Sequence, residues 1–205
     1  MKKIFVFICI GMLVMIALIP MNISAGDAEN PEVEDRILDV KFWGLISFPG
    51  QFLFKYADIV SAWVNEDADH LEYLYISMKL RDLLDKTENL EAIYDVGWYI
   101  NNNRYITCVH ANPNGYGPFV FGKSEDDDDE YESWDFCEGS FDLENNIITW
   151  EVPKTAVGNP EIGSKITIHP HTHLRFRDDS DLPHWDLFKD LYHNAKYIKD
   201  YTIKY

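Results

Sequence analysis

Residues 58–83, DIVSAWVNEDADHLEYLYISMKLRDL, alternate too regularly to be helical. Leu74, Ile76, Met78 and Leu80 fall on one side of an extended chain, and Tyr73, Tyr75, Ser77 and Lys79 on the other. A period of two marks a half-buried strand. Upstream, Val60, Ala62 and Val64 make a small apolar face, opposite Ile59, Ser61 and Trp63. Between the two runs, NEDADHLE carries the Asn and Asp that turns favour. The stretch is predicted to be a β-hairpin.

The pattern recurs along the chain. Tyr94, Val96, Trp98 and Ile100 share a face ahead of the turn Asn101-Asn102-Asn103, and Arg104 to Ala111 returns. NPNGYG at 112–117 is a turn by composition, followed by a short strand at Phe119–Phe121. Ser133 to Leu143 and Ile147 to Val152 flank Glu144-Asn145-Asn146 as another hairpin. Lys165 to Arg177 is a long strand in which Pro170 predicts a bulge or an edge. Trp185, Phe188, Leu191 and Tyr192 suggest a short helix near residues 182–197, with an irregular connection as the alternative, before a final strand at Tyr201–Tyr205. Many short strands separated by turns predict an all-β fold, an antiparallel two-sheet β-sandwich of jelly-roll type.

The amino terminus indicates the compartment. Lys2 and Lys3 precede an apolar run from Ile4 to Ile19, then Pro20 and the small residues Ser24 and Ala25. This is the anatomy of a secretory leader, with cleavage expected after Ala25. An uncleaved anchor is the alternative, although the run falls short of the roughly 20 residues a spanning helix needs. The expected division is residues 1–25 as signal peptide, 26–36 as a flexible polar segment and 37–205 as one domain. Cleavage leaves 180 of the 205 residues and, by removing two lysines and no acid, moves the net charge from −17 to −19. So acidic a chain repels nucleic acid and anionic lipid, which argues against both as partners. Only Cys108 and Cys137 remain after cleavage. Outside the cytoplasm two cysteines most simply pair, and closing a loop of about 29 residues would stabilise by roughly 3 kcal/mol.

The stretches DIVSAWV, YLYISMKLRDL, VGWYINNNRYITCVHA, FDLENNIITWEVPKTAVGNPEIGSKIT, HTHLRF and KDYTIKY occur in an order that resembles secreted domains of archaea and bacteria. These have a DOMON-like or family 9 carbohydrate-binding-module-like β-sandwich. The resemblance covers most of residues 36–205 and rests on strand and turn signals. It implies a jelly-roll-like sandwich of a superfold whose members bind sugars, haem or calcium. For haem, the resemblance would require Met and His ligands; Met78 lies on the aliphatic face and no matching His position is identifiable.

Three features carry candidate chemistry. Trp63, Tyr73, Tyr75 and Tyr99 lie opposite the aliphatic positions of their strands and would form a platform if those strands were neighbours. Aromatic faces stack on the C–H faces of sugar rings, so a glycan or cell-surface polymer is the expected partner. Covering of that face by other chain segments is the alternative. His169, His171 and His173 alternate on one face with Arg175 and Arg177. Imidazoles suit Zn²⁺ or Cu²⁺. However, same-face neighbours stand roughly 6.6–7 Å apart, and an exposed polar face is the simpler reading. Asp126, Asp127, Asp128 and Asp129, between Glu125 and Glu130, form an acidic run that could hold Ca²⁺ weakly or stand solvated. Asp178, Asp179 and Asp181 form a second such cluster. No serine-nucleophile, zinc-protease or phosphate-loop motif is present. The expected function is therefore that of a secreted, non-catalytic binding module without an obligate cofactor, its ligand a carbohydrate. The alternative is a structural or protein-interaction sandwich, Ca²⁺-stabilised, with no small ligand.

Overall fold

The computed structural model describes residues 26–35, 41–42, 55–83, 90–112, 115–124, 133–176, 191–194, 196–197 and 199–205. Residues 1–25, expected to be a leader, and the acidic residues Asp126–Asp129, Asp178, Asp179 and Asp181 lie outside these ranges. The strands are β1 (Val33–Glu34), β2 (Lys41–Phe42), β3 (Ile59–Asp67), β4 (His70–Leu80) and β5 (Leu90–Ile100). There follow β6 (Asn103–Asn112), β7 (Gly115–Tyr116), β8 (Val120–Ser124), β9 (Ser133–Phe136) and β10 (Glu138–Asp142). The last are β11 (Ile147–Pro153), β12 (Lys165–Phe176), β13 (Leu191–Asn194), β14 (Lys196–Tyr197) and β15 (Tyr201–Thr202). They form two antiparallel sheets, as expected for a β-sandwich. The smaller runs β10-β11-β4-β3-β1-β14. The larger runs β2-β13-β12-β5-β6-β8-β9, with β15 also on β12 and β7 also on β6.

The core lies between the facing sheets. Ile76, Met78, Ile148 and Trp150 come from the smaller sheet, and Tyr94, Val96, Trp98, Ile166 and Ile168 from the larger. Each such side chain contributes about 1.5–3 kcal/mol by leaving water. Turn chemistry sets the register that brings them together. Asn101 and Asn102 both take positive φ, 49° and 64°, which is the backbone of the tight turn joining β5 to β6. At the β10–β11 turn, Asp142 Oδ1 accepts from the backbone N–H groups of Glu144 and Asn145, and Asn146 takes φ 60°.

The predicted hairpin at 58–83 is β3–β4, but its register shifts twice, between Ile59 and Ser61 and again between Asn65 and Asp67 beside the turn. A bulge between Ile59 and Ser61 turns Ile59 into the core, where the period of two had placed Val60. Pro170 causes no bulge, because β12 keeps an unbroken register with β5 through it. On the opposite side of β12, among the described residues, β15 pairs with Lys165 and Ile166 and β13 with His171 and Thr172. Pro170 therefore falls in the gap between these partners. The single run expected over Ser133–Leu143 is two strands in different sheets, broken at Cys137.

Two expectations are corrected at the ends of the chain. Residues 26–35 are not a segment apart from the domain, because Val33 pairs with Ala62 and is fully buried. The helix suggested near 182–197 is strand over 191–194 and 196–197; residues 182–190 lie outside the described ranges. The backbone there has partners on β12, β2 and β1, and that pairing outweighs a helix-like apolar spacing.

Cys108 and Cys137 are free thiols, so the expected disulfide is absent. Cys108 pairs with Val120 and Val120 with Phe136, so the two cysteines are separated by two strand spacings. That is about 10 Å at the usual strand separation, beyond the roughly 7 Å a disulfide tolerates. They also face apart. Tyr105, Val109 and Ala111 point into the core from β6, which turns Cys108 outward, whereas Cys137 packs on the core.

Candidate functional site

The outer face of the larger sheet collects most of the chemistry. Register aligns His171, Asp95, Cys108, Val120 and Phe136 in one row across β12, β5, β6, β8 and β9. The neighbouring row is His169, Gly97, Ile106, Gly122 and Trp134. A third row holds Thr167, Tyr99 and Arg104. Residues aligned across strands share a face, and alternation along each strand turns the intervening residues inward.

Asp95 organises one end of this face. Its side chain is sunk between the imidazoles, with Oδ1 3.1 Å from His171 Nδ1 and Oδ2 3.5 Å from His173 Nε2. Its carboxylate can accept from both rings and fix their orientation. Beside them, the His169 ring meets Tyr99 edge-on at 5.7 Å. Burial, then the nearby charges of His171 and Arg104, holds His169 below the usual histidine range. His110 Nδ1 lies 3.6 Å from Glu91 Oε1. The three histidines of β12 thus share one face as expected. Among the described residues, however, no group of three or more His, Cys, Asp or Glu side chains is disposed to hold a metal ion. Burial and then the Asp95 charge push the thiol of Cys108, on the same face, up to about 12, which disfavours the thiolate near neutral pH.

The other end of the face is aromatic. On β9, Trp134 is 47% exposed and Phe136 78%, while Tyr99, 37% exposed, stands at the histidine end beside His169. Between Trp134 and His169, Gly97 and Gly122 carry no side chain, which leaves low ground around Ile106. Five strands span about 19 Å at the usual spacing.

The four aromatics expected to form one platform do not meet. Trp63, Tyr73 and Tyr75 belong to the smaller sheet and Tyr99 to the larger, on the opposite outer surface. Trp63 is almost wholly buried, and Tyr73 and Tyr75 are half-buried, with rings 6.4 Å apart and tilted by 49°. Met78 is buried in the core. Sequence reasoning missed Asp95, Trp134 and Phe136. Trp134 and Phe136 stand two apart in SWDF, a same-face signal hidden inside the longer run. No protein-family model, curated protein or solved structure matches the chain.

Proposed function

We propose that this protein is a secreted, non-catalytic binding module that holds a carbohydrate on the outer face of its larger sheet. The observation that carries this reading is the pair Trp134 and Phe136, large aromatics left open to solvent on the same sheet face as the His, Asp and Arg side chains of β12, β5 and β6. Stacking of sugar C–H faces on the rings would supply affinity, and the polar strip would bond sugar hydroxyls. The sandwich, expected from the resemblance to DOMON-like and family 9 carbohydrate-binding-module-like domains, supports the reading as fold analogy. A second reading is favoured by the place of Phe136. It lies on the last strand of the larger sheet, where a protein partner could dock against an exposed ring.

The test is calorimetric titration with a panel of soluble polysaccharide fragments, comparing the native protein with Trp134→Ala/Phe136→Ala. Binding that weakens at least about tenfold in the variant, a loss of about 1.4 kcal/mol, supports the sugar face. Binding unchanged by the substitutions, or absent across the panel, overturns it in favour of the protein-docking reading.

A further inference from the structure

Gly26 is buried and takes φ +95°, and a β-carbon there would lie 1.9 Å from the carbonyl oxygen of Val64 and 2.6 Å from the Tyr201 ring. No other residue fits. Glu32, fully buried, reaches the same place. Its Oε2 accepts the backbone N–H of Val64 at 3.0 Å. Pairing of Val33 with Ala62 would carry on to Pro31 opposite Val64, but proline has no N–H to give. The Glu32 carboxylate replaces Pro31 for the Val64 donor, and Gly26 crowds the Val64 acceptor. Glu32 Oε1 has no hydrogen-bond partner among the described residues. A buried carboxylate oxygen left so is costly. Meanwhile the Gly26 N–H reaches only Asn30 O, at a long 3.4 Å.

We propose that Glu32 is the counter-ion of the α-ammonium group released by cleavage between Ala25 and Gly26, so that leader removal completes a buried ion pair. Hydrolysis of that peptide bond consumes one water, leaves a carboxylate on Ala25 and gives Gly26 a primary amine that takes up a proton. The ammonium then has three donors for Glu32 Oε1, the Val64 carbonyl and the Asn30 carbonyl. Lys199 and Lys204 bear on Glu32 through their charge, but neither fills Oε1. At the hydroxyl of Tyr201, Glu66 is already satisfied by Lys154, Tyr201 and the Lys204 N–H. The amine is thus directed to Glu32. The inference rests on the expected leader, independently of any glycan.

The full chain is exported from a bacterial host, and the amino terminus of the product is read by intact mass. Its α-amine is then acetylated at neutral pH and followed in the amino-terminal peptide. The same is done for Glu32→Gln and for a chain with one Ser inserted before Gly26. The expected product begins at Gly26, and its α-amine reacts at least about tenfold more slowly than in either variant, the factor of one pKa unit. The Ser insertion keeps Glu32, so the comparison stands even if Glu32→Gln does not fold. A product beginning elsewhere overturns the processing step. Equal acetylation in the proteins compared overturns the ion pair.

Discussion

Lys154 donates to Glu66 Oε1 at 2.5 Å where neither side chain is more than 8% exposed. The same carboxylate accepts from Tyr201 Oη at 2.9 Å and from the Lys204 N–H at 2.7 Å, while Lys154 also donates to the Tyr205 carbonyl at 2.7 Å. One ion pair therefore fastens the end of β3, the 3-10 turn Lys154–Val157 and the last residues of the chain. The resulting burial and the Glu66 charge raise the Tyr201 hydroxyl well above the usual tyrosine range.

Glu66→Ala is expected to destabilise the protein by about 3–5 kcal/mol, because it strands the Lys154 charge. Lys154→Met/Glu66→Leu should cost much less, since both charges go together. Urea unfolding of the three proteins checks this. Equal losses in the single and double variants would show that packing, and not the charge pair, carries the effect.

Phe136→Ala should change stability by no more than about 0.5 kcal/mol, because the ring already stands in water. Trp150→Ala, in the core, should cost about 3–5 kcal/mol. The contrast is read from denaturant midpoints. A large loss at Phe136 would mean that its ring is packed and is no platform.

Reductant should leave the melting temperature unchanged, and both Cys108 and Cys137 should titrate as thiols once the protein is unfolded. In the native state at pH 8, with both thiols pushed up to about 12 by burial first, the thiolate fraction is roughly 10⁻⁴ and alkylation should be slow. Loss of two mass units per chain after oxidative refolding would establish a bridge and contradict this arrangement.

Glu32 gives a pH signature. Burial, opposed by the Val64 N–H and the charges of Lys199 and Lys204, pushes its carboxyl from 4.5 up to about 7. The folded state then holds more protons than the unfolded state between those values, so stability falls as pH rises through that window. The loss is complete above pH 7 and amounts to at most about 3 kcal/mol. This holds for a chain acetylated at Gly26 or continuing upstream of it. Glu32→Gln should abolish that slope in unfolding measured at pH 5 and pH 8. A slope that persists in the variant would assign it to other carboxylates.

The sequence by itself determined what depends on neighbours along the chain. Alternation at Leu74–Leu80 and Tyr94–Ile100 marked strands and their inner faces, because side-chain direction in a strand follows from the backbone. Asn101-Asn102 and Glu144-Asn145-Asn146 marked turns, because few residues accept positive φ. The placing of His169, His171 and His173 on one face followed from the same period. What only the tertiary structure decided is which strands lie side by side. Long-range register put Asp95 between two imidazoles of another strand and set Tyr99 on the opposite surface from Trp63. It held Cys108 two strands from Cys137 and made strands of residues 191–194 and 196–197. It also buried Gly26 beside Glu32 and Val64, residues distant from it or from each other in sequence. Such pairings rest on hydrogen bonds and packing between remote segments, and no local period encodes which segments will meet.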